Sequence, residues 1–153
     1  MTVTDVALPV RDFAGGTEMR GLVIPVSAST RPYFDGLEAG RLMLQCCLQC
    51  GRFRNPVAPV CPYCRASSFV WNAARARGSV VSWVRYTRSY LPQFESLVPY
   101  VVLTVELTER VRMFGRLAER DVEPRIGMDV EAIIERWADG GRTVAFVAAT
   151  KGG

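Results

Sequence analysis

The sequence predicts a mainly β protein with an N-terminal arm and short helix, a rubredoxin-like zinc ribbon and a C-terminal five-stranded OB-fold barrel. Two observations predict this fold class: five cysteines fall within nineteen residues, and five short strand-like segments follow them. The chain of 153 residues is 49% hydrophobic and 22% charged, which is enough to bury a core. The predicted division is an arm over 1–30, helix and ribbon over 31–73, and OB-fold over 74–150.

The N-terminal part contains glycine, proline and small polar residues without a sustained hydrophobic period, which predicts an extended or partly ordered arm. A short helix is predicted from Arg31 to Ala39. Thr30 is a candidate N-cap, Pro32 suits the first turn, and Gly40 ends the segment.

Four of the cysteines form two CxxC pairs, Cys47 with Cys50 and Cys61 with Cys64, separated by ten residues. Each pair turns the chain tightly, and four thiolates so placed match tetrahedral zinc. Four protein ligands leave no open coordination position, so the predicted ion is structural. Iron fits the same ligands, and free buried thiols or a redox CxxC are less favoured. Cys46 with Cys50 is also an allowed pair, but Cys47 is preferred because CxxCG is the commoner knuckle.

Five strands are predicted from alternating apolar residues and β-branched or aromatic composition. Their bounds are Val80–Thr87, Tyr100–Leu107, Val111–Leu117, Met128–Trp137 and Thr143–Ala149. Short turns join the second strand to the third and the fourth to the fifth. Five strands, mostly joined as hairpins, are too few for a sandwich of normal size and fit a small closed barrel.

The chain contains no histidine, which removes the commonest general base and the commonest neutral metal ligand. Ser-His-Asp and Cys-His catalysis are therefore excluded, as is zinc held by imidazole. No apolar stretch approaches the ~18 residues of a membrane span. Residues 1–16 carry two acids and no long apolar core, so we expect no secretory signal and a cytoplasmic location.

Charge is unevenly distributed: residues 39–94 hold eight arginines and no acid, although the net charge is only +4. A one-signed stretch usually faces an anionic partner. Four of these arginines flank the first barrel strand and are candidate contacts to coenzyme A or to a partner protein: Arg75, Arg77, Arg85 and Arg88. Aromatic residues interleave with the arginines, so a single-stranded nucleic-acid-binding module is the alternative. Solvated arginines around aromatic core residues are the simplest account.

Residues 89–98, which join the first two barrel strands, contain four large side chains: Tyr90, Leu91, Phe94 and Leu97. Because a loop rich in large apolar groups is a poor free linker, we expect it to be an interface. The alternative is that the loop folds back on its own barrel.

The order of motifs over about residues 31–149 resembles a known family, the acyl-CoA-associated zinc-ribbon/OB-fold proteins, which are a domain-of-unknown-function family. The resemblance rests on motifs that occur here in this order: Pro32 and Phe34, Gly40-Arg41-Leu42, the two CxxC pairs, Trp71, Gly78-Ser79-Val80, Pro99-Tyr100 and Ile126-Gly127-Met128. It implies a non-catalytic accessory subunit that docks on a thiolase-fold enzyme. Such enzymes include thiolases, acyltransferases and the aldolases that shorten steroid side chains.

The resemblance also implies that the partner carries the catalytic residue and that this chain helps to frame the acyl-CoA site. A coenzyme A thioester is then shared with the partner, in a hetero-oligomer such as a heterotetramer. A hot-dog-fold hydratase is a further candidate partner, whereas a membrane and nucleic acid are not expected. Cys46 stands where a basic residue is common, and the arm is longer than usual, which leaves the partner's identity open.

Overall fold

The structure is a computed structural model that describes residues 7–14 and 24–150. It contains a three-stranded sheet and a six-stranded sheet, five strands of which close into a barrel. The elements in chain order are β1 (Val10–Asp12), α1 (Arg31–Glu38), β2 (Met43–Cys47), β3 (Phe53–Arg54), β4 (Phe69–Ala73), β5 (Arg77–Tyr86), a 3-10 helix (Pro92–Leu97), β6 (Tyr100–Leu107), β7 (Arg112–Leu117), β8 (Asp129–Arg136) and β9 (Arg142–Ala148). None of the helices in these described ranges has the length and apolar character of a membrane span.

The predicted helix is present as α1, one residue shorter than expected at its C-terminal end. Pro32 lies in its first turn, and Leu37 is fully buried against the core. The predicted side-chain cap is wrong, because Thr30 makes no cap hydrogen bond. Its hydroxyl oxygen instead accepts the backbone N–H of Ser27 at 2.9 Å, which stabilises the turn before the helix.

The smaller sheet has the order β3-β2-β4, and both pairings are antiparallel. On β2, Gln45 lies opposite Arg54 of β3 and Trp71 of β4, and Cys47 lies opposite Phe69 of β4. Directly opposed residues share one face of a sheet, and residues two apart on a strand also share it. These five side chains therefore lie on the same face, and Cys46 points to the other.

The barrel is closed by β5 pairing with β6, β6 with β7, β7 with β9, β9 with β8, and β8 with β5. The β7–β9 pair is parallel and the others are antiparallel, which is the five-stranded OB-fold arrangement that the sequence predicted. β6 has the predicted bounds, and its alternate residues are buried. β5 begins three residues earlier than predicted because Arg77–Ser79 pair with Asp129–Glu131 of β8.

β1 is a strand where the sequence predicted only an arm. It pairs in parallel with the last three residues of β8, so that Val10 lies opposite Ile134. β5 covers only the first three residues of β8, and β1 occupies the remainder of that edge. Phe13 continues from β1 and stacks on Trp137, with 4.1 Å between ring centroids. The rest of the predicted arm, 1–6 and 15–23, lies outside the described residues.

The loop between β5 and β6 partly folds back on its own barrel. Leu97 is buried, and the ring of Phe94 packs against the rings of Tyr100, Phe13 and Trp137. The expected interface is therefore wrong for Phe94 and Leu97, because both contribute to the packing of this chain. Two other large residues of the loop stay exposed, at 79% for Tyr90 and 45% for Leu91.

Gly78 marks a close approach between β5 and β6. A Cβ atom at this position would collide with the backbone oxygen of Glu106 and lie 2.9 Å from the Cα of Leu107. Backbone atoms of a central strand cannot yield, so Gly78→Ala should lower the free energy of unfolding by about 1–3 kcal/mol. Chemical denaturation of zinc-saturated protein measures this, with Ser79→Ala as the control, expected within about 0.5 kcal/mol of wild type. Equal stability of both variants would contradict it.

Candidate metal centre

The structure brings together the four cysteines of the two CxxC pairs. The sulfur atoms of Cys47, Cys50, Cys61 and Cys64 all lie within 4.8 Å of one another. Two of the distances, Cys47 Sγ to Cys64 Sγ and Cys50 Sγ to Cys61 Sγ, are 3.6 Å. Tetrahedral zinc with Zn–S bonds of about 2.3 Å places its sulfurs about 3.8 Å apart, so this donor set fits the ion.

Two equivalent turns position these sulfurs. In the first, the N–H of Gly51 donates to the carbonyl of Cys47 at 2.9 Å; in the second, the N–H of Arg65 donates to the carbonyl of Cys61 at 2.9 Å. Gly51 and Arg65 both have positive φ, 73° and 66°. Glycine adopts that conformation freely, whereas arginine does so at a cost, so the second turn is held by its surroundings.

Backbone N–H groups inside the turns point at the first cysteine of each pair. Those of Cys50 and Gln49 donate to the sulfur of Cys47 and lower its pKa. Those of Cys64 and Tyr63 donate to the sulfur of Cys61 and lower its pKa to about 6. The thiolate is the metal-binding form of cysteine, so the turns prepare these two sulfurs for an ion.

The pKa of Cys64, the fourth cysteine of the cluster, shows that the four sulfurs need a cation. The N–H of Ala66 donates to Cys64 and lowers its pKa, but desolvation and the three neighbouring sulfurs outweigh this and raise the pKa to about 11. Four thiolates at this spacing repel one another, and a divalent cation removes that repulsion. The arrangement suits a structural ion because all four positions around it are taken by protein sulfur.

Cys46 lies outside the cluster. It follows the alternation of β2 and faces away from Cys47, and its Sγ approaches the carbonyl of Gly51 at 3.5 Å. Desolvation, followed by the nearby sulfur of Cys47, raises the pKa of Cys46. The geometry thus separates the two neighbouring cysteines that the sequence left as alternatives.

The four candidate arginines do not form one site in the structure. Arg77 and Arg85 stand eight residues apart on β5, roughly 26 Å at 3.3 Å per residue. Arg77 pairs with Glu131 at 3.1 Å, and Arg85 pairs with Glu123 at 2.7 Å. The remaining two, Arg75 and Arg88, are exposed. The acid-free stretch is therefore neutralised in part by carboxylates from the C-terminal half of the same chain, which the linear charge pattern did not predict.

Two buried charged groups in β7 and β8 were missed by the sequence analysis. Arg116 and Glu135 form an ion pair at side-chain exposures of 10% and 5%. Arg116 also donates to the carbonyl of Leu117 at 3.3 Å and lies over the ring of Phe13 at 5.5 Å. Burial raises the pKa of Glu135, and the charge and hydrogen bond of Arg116 oppose that rise. The sequence does offer one signal for this buried pair, because Glu135 directly follows two isoleucines in a predicted core strand.

A four-cysteine ribbon followed by a closed five-stranded barrel defines the class of zinc-ribbon/OB-fold proteins. Residues 34–70 match the family model of the rubredoxin-like zinc ribbon domain of ChsH2, and residues 71–135 match that of the C-terminal OB-fold domain of ChsH2. A DUF35 domain-containing scaffold protein of Methanocaldococcus jannaschii is 32% identical over 101 residues, which cover 62% of this chain and 68% of that protein. The chain belongs to the DUF35 family.

Two further similarities extend this picture. A probable enoyl-CoA hydratase alpha subunit of Thermomonospora curvata is 38% identical over 87 residues, which cover 56% of this chain. The chain spans only about a quarter of that relative, 26% of its length. Among solved structures, a chain of the Ltp2-ChsH2(DUF35) aldolase superimposes with a TM-score of 0.74 at 28% identity, over 84% of this chain and 100% of that one.

Proposed function

We propose that this chain is a non-catalytic, zinc-binding accessory subunit that docks on a thiolase-like enzyme and supports its acyl-CoA chemistry. The candidate partners are a thiolase, an acyltransferase or a side-chain-cleaving aldolase. The observation that supports this most strongly is the match over the full length of a DUF35 chain in an aldolase assembly. The relative named as a probable enoyl-CoA hydratase alpha subunit is matched over only 26% of its length. Because the rest of that relative has no counterpart in this chain, a separate hot-dog-fold hydratase is the second candidate partner.

The chemistry of the side chains supports a non-catalytic role. The chain has no histidine, and four of its five cysteines converge on one another. Glu135 has a raised pKa, as a general acid would, but it is buried and paired with Arg116. A proton donor held in this way has no access to a substrate.

We assign zinc as the resident ion, with Cys47, Cys50, Cys61 and Cys64 as its ligands. A tetrathiolate zinc ion has no open position for a substrate, and its contribution is to hold the ribbon folded. The ribbon sheet has only three short strands, one of two residues, and its buried Leu44 belongs to the same core cluster as the barrel, so the ribbon has little core of its own. The ion thus supplies the free energy that fixes the ribbon beside the barrel.

Affinity purification of the tagged chain from its native host tests this function. We expect a thiolase-like enzyme to co-purify in a defined ratio, and we expect the chain alone to show no thiolytic, aldol or hydratase turnover on acyl-CoA substrates. The complex should turn over faster, or stay soluble longer, than the partner alone. Co-purification of nucleic acid instead, or turnover by the chain without any partner, would overturn the proposal.

We place the docking surface on the outer face of β5 to β7 and the loop that follows β5. Val84 and Phe114 are 56% and 74% exposed there, and Tyr90 and Leu91, which follow β5 along the chain, are also exposed. An apolar patch of this kind on a small protein is typical of an interaction site. Arg88 lies between the strand and Tyr90, where it is able to meet a partner carboxylate or a coenzyme A phosphate.

Single arginine variants test this placement. Arg88→Ala should weaken the complex or raise the KM for acyl-CoA several-fold, and Arg77→Ala should do less because Glu131 already pairs with Arg77 at the other end of β5. Arg31→Ala, on the exposed start of α1, is the matched control. The dissociation constant of the complex and the KM are measured separately, which distinguishes a protein contact from a coenzyme A contact. Wild-type values of both constants in Arg88→Ala would contradict the placement.

A further inference from the structure

Arg54 is a buried cation that forms no ion pair with any acid in the described part of the chain. Its side chain is 3% exposed, and its Nε donates to the Oε1 of Gln45 at 2.8 Å. Gln45 Oε1 also accepts the backbone N–H of Ala58 at 2.9 Å, so it is already shared. Both Nη atoms of Arg54 are shielded from solvent and meet no acceptor among the described residues. A guanidinium removed from water in this way is costly unless a negative charge lies nearby.

The register of the ribbon sheet places this guanidinium on the same face as Cys47. Arg54 starts on β3 opposite Gln45, on one side of β2, and its Cζ lies 4.7 Å from the ring centroid of Phe69. Phe69 is on β4, on the other side of β2 and directly opposite Cys47. The side chain of Arg54 therefore reaches across β2 from Gln45 to the ring of Phe69, the residue opposite Cys47, on the face that also carries the Cys47 side chain.

A tetrathiolate zinc centre carries the missing negative charge. Four thiolates around one divalent ion leave a net charge of −2, and Cys47 and Cys61 are buried. Opposite charges shielded from water interact more strongly than exposed ones, and this applies to the side of the centre formed by Cys47 and Cys61, since Cys50 and Cys64 are exposed. We propose that Arg54 is the buried countercharge of the metal centre, and that it strengthens metal binding and favours a divalent over a trivalent ion. This inference rests on the zinc ligation in the proposed function.

The effect of replacing Arg54 on metal binding distinguishes the countercharge role from a merely structural one. If nothing offsets the charge of Arg54, Arg54→Met should leave the free energy of unfolding unchanged or raise it, because an apolar side chain of similar length suits a buried site. If the metal centre offsets the charge, the same substitution should weaken metal binding. Arg52 provides the matched control, since it lies two residues away but is exposed, with its Cζ 4.5 Å from the ring centroid of Tyr63. The backbone carbonyl of Arg52 accepts the N–H of Cys47 at 2.9 Å, so this control lies equally close along the chain and differs from Arg54 in its exposure to water.

Competition with a chromophoric chelator gives the zinc affinity of the full chain. We expect Arg54→Met to bind zinc at least tenfold more weakly than wild type, Arg54→Lys to fall in between because the charge is kept, and Arg52→Met to stay within twofold. Arg54→Gln replaces the methionine variant if that variant does not fold. Equal zinc affinity in wild type and in the uncharged variants would overturn the inference.

The reduction potential of the iron-loaded protein depends on the charge of Arg54 and would not change if Arg54 contributed only packing. The ferrous tetrathiolate carries one more negative charge than the ferric form, so a nearby cation favours the ferrous state. Removing Arg54 should therefore lower the reduction potential, and a tenfold change in the ferrous to ferric ratio corresponds to about 59 mV. Arg52→Met should leave the potential unchanged. An unchanged potential in the uncharged Arg54 variants would also overturn the inference, even if their zinc affinity were lower.

The two proposals fail in different ways. If the wild-type chain purifies without zinc and does not take it up, the zinc ligation in the proposed function is wrong, whatever the Arg54 variants do. If the wild type holds one zinc and the uncharged Arg54 variants match it in affinity and potential, the ligation stands and only the role of Arg54 is lost.

Discussion

Cys61→Ser should remove the metal and unfold the ribbon while the barrel remains folded. Cys61 is buried, its pKa is lowered to about 6 by two backbone N–H groups, and its sulfur lies 3.6 Å from that of Cys50. Binding of a structural zinc ion contributes about 10–16 kcal/mol in small zinc domains, and most of this is folding free energy. A serine hydroxyl is a poor replacement for a thiolate, so the expected zinc content falls from one per chain to nearly none.

Elemental analysis measures the loss of zinc, and limited proteolysis measures the unfolding of the ribbon. Cleavage should become rapid between Met43 and Ala73, whereas the β-barrel should stay resistant because most residues of the core cluster come from its own strands. Cys46→Ser is the control, since the sulfur of Cys46 faces away from the cluster, and it should keep full zinc and full resistance. Retention of one zinc per chain in Cys61→Ser would show that the ligand set is wrong.

Arg116→Met should produce the largest loss of stability among single changes in the barrel. The substitution breaks the buried ion pair of Glu135 and leaves only the weaker effect of the Arg11 charge on its carboxylate, and breaking a buried pair typically costs about 3–5 kcal/mol. Arg112→Met changes the same residue type on the same strand, but Arg112 is exposed and pairs with Glu106 at the surface. Its effect should stay within about 0.5–1 kcal/mol. Urea denaturation of zinc-saturated protein compares the two variants.

The loss in Arg116→Met should grow as the pH rises. Burial raises the pKa of Glu135 above its unfolded value, so the folded state favours the protonated carboxyl, and the stability that this contributes is lost as pH rises through the folded pKa. Removing Arg116 takes away the two largest of the three effects that hold this pKa down and leaves only the charge of Arg11, so the pKa rises further. The deficit should therefore be larger at pH 7 than at pH 5, and Glu135→Gln in the same chain should relieve it. A deficit independent of pH would refute this account.

The sequence was most informative where structure depends on local spacing. The two CxxC pairs form their turns from residues close in sequence, and the structure brings the four sulfurs together as the spacing predicted. β6 was predicted at its true bounds because one of its faces is wholly buried, so its alternation is strict. By contrast, β1 has three residues, all of them exposed, and exists because β8 offers an edge. A strand of that kind has no pattern of its own to detect.

Contacts between distant parts of the chain explain what else could not be predicted. The exposed arginines of β5 pair with acids in β8 and in the segment before it: Arg77 with Glu131 and Arg85 with Glu123, which is 38 residues later in the chain. The burial of Arg54 depends on Phe69, which reaches it only through the pairing of β4 with β2. Residue types and spacing within one segment do not reveal pairs formed between distant segments. The sequence analysis therefore described the charge pattern but could not tell that Arg54 is the buried cation.

The short strand β1 has a consequence for how copies of this protein behave in concentrated solution. Unpaired backbone groups at a sheet edge are a template on which another chain can add a strand, and this is a common start of aggregation. Here the N–H of Ile134 donates to the carbonyl of Pro9 and the carbonyl of Arg136 accepts the N–H of Phe13, both at 2.9 Å. The segment at residues 7–14 thus covers the last three residues of β8 and leaves β1, only three residues long, as the edge of the sheet, and the stacking of Phe13 on Trp137 holds the segment in place.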